Sequence, residues 1–164
     1  MNREQTVSSR VFYIVAVTVV MLDQISKLLV QRMLQPGEII PVIPSFFNLT
    51  YVMNPGAAFG FLAGAPAALR APFLTGISIL AVLFIAYFRY RHPDLGLIPS
   101  LGLCFILGGA VGNLVDRLRL GMVVDFLDFY YGGYHWPAFN VADAAITVGV
   151  ALMVIEILTE RRKG

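Results

Sequence analysis

The sequence predicts an all-α membrane protein of four transmembrane helices, with both termini cytoplasmic and a small β-rich extracytoplasmic cradle between helices 1 and 2. Three observations predict it. The 164-residue chain is 58% hydrophobic and only 13% charged, too little charge to cover a soluble domain. Four apolar segments, roughly 12–33, 69–88, 96–115 and 139–158, each reach the length of about 20 residues that crosses a bilayer. Lysine and arginine collect at the N-terminus, between segments two and three, and at the C-terminus, as cytoplasmic connections do. The length suits one integral-membrane domain spanning residues 1–164.

Segment 12–33 reads as a retained helix. It has no small-residue cleavage site, and its apolar run continues past Asp23 to Leu34. Asp23 and Lys27 lie one turn apart, an acid–base pair that lowers the cost of both charges in an apolar helix. Lys27 is also long enough to snorkel toward the outer headgroups. From Glu38 to Phe61, β-branched and aromatic residues mix with Pro41, Pro44 and Pro55, which predicts short strands broken by turns.

Segment 69–88 ends in Arg89-Tyr90-Arg91-His92, a cytoplasmic connection. Segment 96–115 carries the small residues Gly108, Gly109, Ala110 and Gly112, which let helices approach closely in lipid. Asn113 and Arg117 follow one turn apart, and Asp116 beside Arg117 reads as an interfacial ion pair or part of a lipid-phosphate site. The second outer connection, 117–138, carries Phe129, Tyr130, Tyr131, Tyr134 and Trp136 around Gly132-Gly133. It predicts an aromatic belt at the lipid–water boundary, or a lid whose glycines permit movement.

Composition excludes several classes. A net charge of +2 with no basic run gives nucleic acid no surface. Cys104 is the one cysteine, and His92 and His135 have no neighbouring ligand types, so neither a disulfide, a metal nor another cofactor is expected. Ser26 adjoins Lys27, but adjacent helix residues point apart, so a Ser/Lys pair is unsuitable.

Acidic residues inside a span cost about 2.5–3.5 kcal/mol and are functional candidates by default. Asp143 shares one helix face with Asn140 and Thr147 on an otherwise apolar segment, so that face meets protein or water. Asp125 lies in an apolar stretch at the same outer end, with Asp128 three residues on as its competitor. Local sequence does not choose between those two. Asn54, in Asn54-Pro55-Gly56-Ala57-Ala58-Phe59-Gly60, places an amide among small residues where backbone can approach a ligand. Two close carboxylates share one proton and can activate water for hydrolysis without a metal or a covalent intermediate.

Taken in order, Asp23 with Lys27, Asn54 to Gly60, Gly108 to Arg117, Val124-Asp125-Phe126 and Phe139-Asn140-Val141-Ala142-Asp143 resemble the lipoprotein signal peptidases, or signal peptidase II. The resemblance covers nearly the whole chain. It implies an aspartic endopeptidase of the bacterial cytoplasmic (inner) membrane, with its active site near the extracytoplasmic face and a β-cradle in the outer loop. Its substrate would be a diacylglyceryl-modified prolipoprotein, cut just before the lipidated cysteine beside membrane lipids. The resemblance implies Asp125, rather than Asp128, and Asp143 as catalytic. It implies Asn54, Gly56, Asn113, Arg117 and Asn140 as lining residues, with Asp23 and Lys27 in support. Pro55 departs from the family's block and bears on the geometry of that loop.

Two other classes compete. A proton-coupled transporter or channel would use Asp23, Asp125 and Asp143 as relay groups. A non-catalytic assembly protein would use the glycine-rich contacts and tolerate loss of its aspartates.

Overall fold

Helix α1 (Ser9–Met33) opens on Ser8, whose hydroxyl accepts from Val11 N–H at 3.4 Å. Its buried residues Phe12, Ala16, Val19, Asp23, Lys27 and Val30 recur every three or four positions and form one stripe. Between them Ile14, Val17, Leu22 and Leu29 are exposed, an outward face that only lipid suits. The computed structural model describes residues 6–56 and 66–160, so Ala57 to Gly60 of the outer-loop run fall outside the described residues.

Three more helices follow: α2 (Ala67–Arg91), α3 (Leu97–Leu120) and α4 (Val141–Glu160). All four are long and apolar enough to span a membrane. In the most apolar stretch of α3, 56% of residues are buried, against 11% in α2 and in α4, so α3 is the central helix. The other three pack around it. Glycine makes the close approaches possible: a Cβ on Gly108 would lie 2.7 Å from the Ala16 carbonyl oxygen, and one on Gly149 2.6 Å from the Gly102 oxygen. Helix α3 continues past residue 115 to Leu120, which puts Asp116 and Arg117 on the helix.

The expected cradle exists and is larger than its sequence signal. Strands β1 (Ile39–Ile43) and β2 (Phe47–Asn54) come from the first outer connection, as expected. Strands β3 (Val123–Tyr131) and β4 (Tyr134–His135) come from the second, which the sequence showed only as an aromatic belt or lid. They form one antiparallel sheet in the order β1-β2-β3-β4. The alternation that marks a strand is missing from β3 because residues 123–126 are all buried, on both faces. Gly132 and Gly133, at φ +55° and +87°, form the two-residue turn joining β3 to β4. That turn requires positive φ twice, which glycine supplies without strain.

The sheet lies at one end of the bundle. At the other, Thr6 bridges to Gly96, and buried Arg89 donates to the Val7 carbonyl at 2.6 Å and to the His92 carbonyl at 2.7 Å. The N-terminal segment and the α2–α3 connection therefore share an end, with Arg89 pinned between them.

Candidate active site

Asp125 sits near the start of β3, opposite Val52 of β2. Asn54, two residues beyond Val52 and so on the same face of the strand, donates from Nδ2 to Asp125 Oδ2 at 2.8 Å. The other oxygen accepts from Asn140 Nδ2 at 2.7 Å. Asn54 is itself fixed: its Oδ1 accepts from Gly56 N–H at 2.9 Å, an Asx turn closing over Pro55. The proline therefore fits the loop. Asp125 is 1% exposed, and burial, then the nearby charge of Asp143, push its carboxyl up to about 7.

Asp143 lies in the first turn of α4, where the helix dipole favours an anion. Its Oδ1 accepts from Asn113 Nδ2 of α3 at 2.7 Å. Both aspartates open on one cavity of about 670 Å³, which Asn54, Gly56, Asn113 and Arg117 also line. Its walls are apolar on either side: Ile77 and Ala81 from α2, Ile146 and Val148 from α4. Among the described residues, Arg117 hydrogen-bonds its neighbours only through long contacts of 3.4 Å, to Ser78 Oγ and to the Asn113 carbonyl. Among the described residues it makes no ion pair within 4 Å, so its charge faces the cavity.

The structure separates the two acids that the local sequence could not. Asp125 and Asp128 are an odd number of residues apart on one strand and point to opposite faces. Asp128 accepts from Asn48 Nδ2 at 2.8 Å and pairs with His135 Nδ1 at 2.8 Å, away from the cavity lining.

Asp23 and Lys27 do not reach the cavity lining. They form the expected pair at 2.8 Å, but Lys27 is 2% exposed and does not snorkel. Its stripe faces α3, and there its ammonium finds Asp116 at 2.8 Å and Asn113 Oδ1 at 2.9 Å. The ion pair expected between Asp116 and Arg117 is absent among the described residues, because adjacent helix residues diverge. Sequence reading also passed over Gln24, whose Nε2 donates to Asp23 at 3.1 Å and Asp116 at 3.0 Å. The signal for Asp116 was its spacing: it lies on the same α3 face as Gly109, Gly112 and Asn113. Among the described residues no three His, Cys, Asp or Glu side chains are grouped to hold a metal.

Two acids bonded by asparagine amides, opening on an apolar cavity at the sheet end of a four-helix bundle, are the arrangement a membrane aspartic peptidase needs. The model of the signal peptidase (SPase) II family matches residues 15–159. The lipoprotein signal peptidase of Syntrophus aciditrophicus is 46% identical over 152 residues, covering 93% of this chain and 94% of that protein. That of Desulforapulum autotrophicum is 50% identical over 145 residues, 88% of this chain and 90% of the relative. A bacterial membrane enzyme solved by the in meso method at 2.3 Å superposes with a TM-score of 0.85, at 32% identity over 98% of this chain and 94% of the other. The chain belongs to the signal peptidase II family.

Proposed function

We propose that this protein removes signal peptides from diacylglyceryl-modified prolipoproteins, cutting just before the lipidated cysteine, with Asp125 and Asp143 as its catalytic pair. The observation that carries the reading is the placement of both carboxylates on one apolar cavity, each held by its own asparagine donor. Two close carboxylates share one proton, and burial that holds Asp125 up to about 7 favours that shared state near neutral pH. The ionised member takes a proton from water as the oxygen attacks the scissile carbonyl carbon. The protonated member hydrogen-bonds the carbonyl oxygen, and a proton passes to the leaving amine as the C–N bond breaks. Arg117, Asn113 and Gly56 line the path of the peptide, and Asn54 and Asn140 keep Asp125 in place.

The apolar walls on α2 and α4 give the acyl chains a surface, and each buried CH2 contributes about 0.8 kcal/mol. Lipid anchoring thus supplies much of the affinity. The charge distribution supports a site in the bacterial cytoplasmic membrane, with the sheet on the extracytoplasmic face and Arg10, Arg89 and Arg91 at the cytoplasmic end. A proton relay would need acids spaced along the bilayer; Asp23, Asp116, Asp125 and Asp143 instead cluster beside one another.

The test is cleavage of a diacylglyceryl-modified prolipoprotein by purified protein, with Asp125→Asn, Asp143→Asn and an unmodified precursor alongside. Cleavage before the modified cysteine by wild type alone, and much slower cleavage of the unmodified precursor, is the expected result. Near-wild-type activity in either variant removes that aspartate from the chemistry. A folded wild type that leaves the lipidated precursor intact moves the transporter reading forward.

A further inference from the structure

Beneath the two acids lies a buried charge cluster that the reaction scheme above does not use. Lys27 of α1 is 2% exposed, Asp23 0% and Asp116 2%. An ammonium has three N–H donors, and the structure offers Lys27 three partners: Asp23 Oδ2 at 2.8 Å, Asp116 Oδ2 at 2.8 Å and Asn113 Oδ1 at 2.9 Å.

Each partner leads to a different part of the site. Asp116 Oδ2 also accepts from Val124 N–H at 3.1 Å, the peptide immediately before Asp125. Asp23 Oδ1 accepts from Ala142 N–H at 2.9 Å, the peptide immediately before Asp143. Asn113 uses its oxygen on Lys27 and its Nδ2 on Asp143 Oδ1. The cation therefore also decides which way the Asn113 amide points, since an ammonium cannot face the NH2 end. Gly112 makes the cluster possible: a Cβ there would lie 2.6 Å from Asp23 Oδ2.

We propose that Lys27 and Asp116 are positioning residues for the peptidase reaction, with the Lys27 ammonium as the node that ties the backbone carrying Asp125 to the backbone carrying Asp143 and orients Asn113 toward the latter. This inference rests on the catalytic pair proposed above and assigns the cluster beneath it. Lys27 and Asp116 set the separation of the two acids and the electrostatic field in which they share a proton. Among the described residues, the charged groups beside the pair are Lys27 and Asp23 from α1 and Arg117 from α3, with Asp116 of α3 bonded to Lys27 behind them. The α2 residues lining the cavity, Ile77, Ser78 and Ala81, are uncharged. One cation between two carboxylates leaves the cluster with one negative charge.

Two changes alter that balance in opposite directions. Asp116→Asn keeps the shape and removes a negative charge; Lys27→Met keeps the stem and removes the positive one. A charge within about 4–6 Å of a carboxyl moves it by about one unit or more. The experiment measures kcat and KM of both full-length variants on a diacylglyceryl-modified prolipoprotein across pH, normalised to folded protein in detergent. Both variants are expected to keep KM within about twofold and lose at least about tenfold in kcat, since Asp116→Asn weakens and Lys27→Met removes charge-assisted hydrogen bonds that hold Asn113 and the two acid-bearing backbones. The acid limb of kcat is expected to move to lower pH in Asp116→Asn and to higher pH in Lys27→Met.

A profile superimposable on wild type after normalisation, or a loss confined to KM, overturns the proposal and leaves the cluster a purely structural one. If Lys27→Met does not fold, Asp116→Asn alone decides, because its isosteric amide still accepts from Val124 or Lys27. A wild type that fails to cleave sinks the parent reading, whereas cleavage with unmoved profiles sinks only this one.

Discussion

Asn140 and Asp143 cap each other at the start of α4: Asn140 Oδ1 accepts from Asp143 N–H at 2.9 Å, and Asp143 Oδ2 accepts from Asn140 N–H at 3.3 Å. This is a capping box in which the acidic member is also a candidate catalyst. The same asparagine donates its Nδ2 to Asp125, so one side chain links the Asp125 carboxylate to the Asp143 backbone N–H. Asn140→Ser retains a cap and loses the bridge, whereas Asn140→Ala loses both. Both variants are expected to lose about ten- to a hundredfold in kcat, as removal of a hydrogen bond to a charged group does. Only Asn140→Ala is expected to lose a further ~1 kcal/mol of stability. Thermal melts beside kinetics separate the two effects; wild-type kcat in Asn140→Ser would dismiss the bridge.

The position of Asp125 has a consequence for stability against pH. Its carboxyl stands at about 7 in the fold, against 3.8 for an ordinary aspartate, because burial and then Asp143 disfavour its charge. The folded protein holds a proton that the unfolded chain releases. The corresponding stability is complete below about pH 4 and is lost as pH rises through 7. Melting temperature in detergent should therefore fall between those values in wild type. In Asp125→Asn that part of the slope should vanish, and equal slopes would contradict the assignment.

Close helix contact is what lets α3 and α4 present their side chains to one another. A methyl on Gly109 would strike the Ala142 carbonyl oxygen, next to Asp143, while one on Gly76 of α2 would meet nothing within 4 Å. Gly109→Ala is expected to cost about 1–3 kcal/mol through overpacking and to lower activity by displacing the start of α4. Gly76→Ala is expected to be neutral or up to about 1 kcal/mol more stable. Comparable melting points for the two variants would refute the packing account.

Asp128 provides the control for the proposed catalytic pair. It bonds Asn48 and His135 on the sheet face opposite Asp125. Asp128→Asn should retain activity within about tenfold, since the pair it loses has a half-exposed histidine and such pairs contribute about 1 kcal/mol or less. Asp125→Asn should be inactive. Reversed outcomes in the cleavage assay would exchange the two assignments.

The four spans were legible because lipid imposes a local rule: about twenty apolar residues must occur in a row, whatever their neighbours. For the same reason Asp23, Lys27 and Asp143 stood out, since each breaks that rule within its own segment. Strands β1 and β2 showed themselves through prolines and β-branched residues. Strand β3 did not, because a strand buried on both faces loses the alternation that identifies it. The order of motifs along the whole chain favours Asp125 over Asp128, and the sheet that turns them to opposite faces supports that proposal.

What the sequence determined by itself is a four-span membrane chain with a few polar groups too costly to be accidental. Only the tertiary structure decided how those groups are paired. Asp116 lies beside Arg117 in the chain but bonds Lys27, eighty-nine positions away, because a helix turns its neighbours apart and brings distant faces together. In a medium without water, each buried charge must find its partner within the protein, and which partner it finds is a property of the packing.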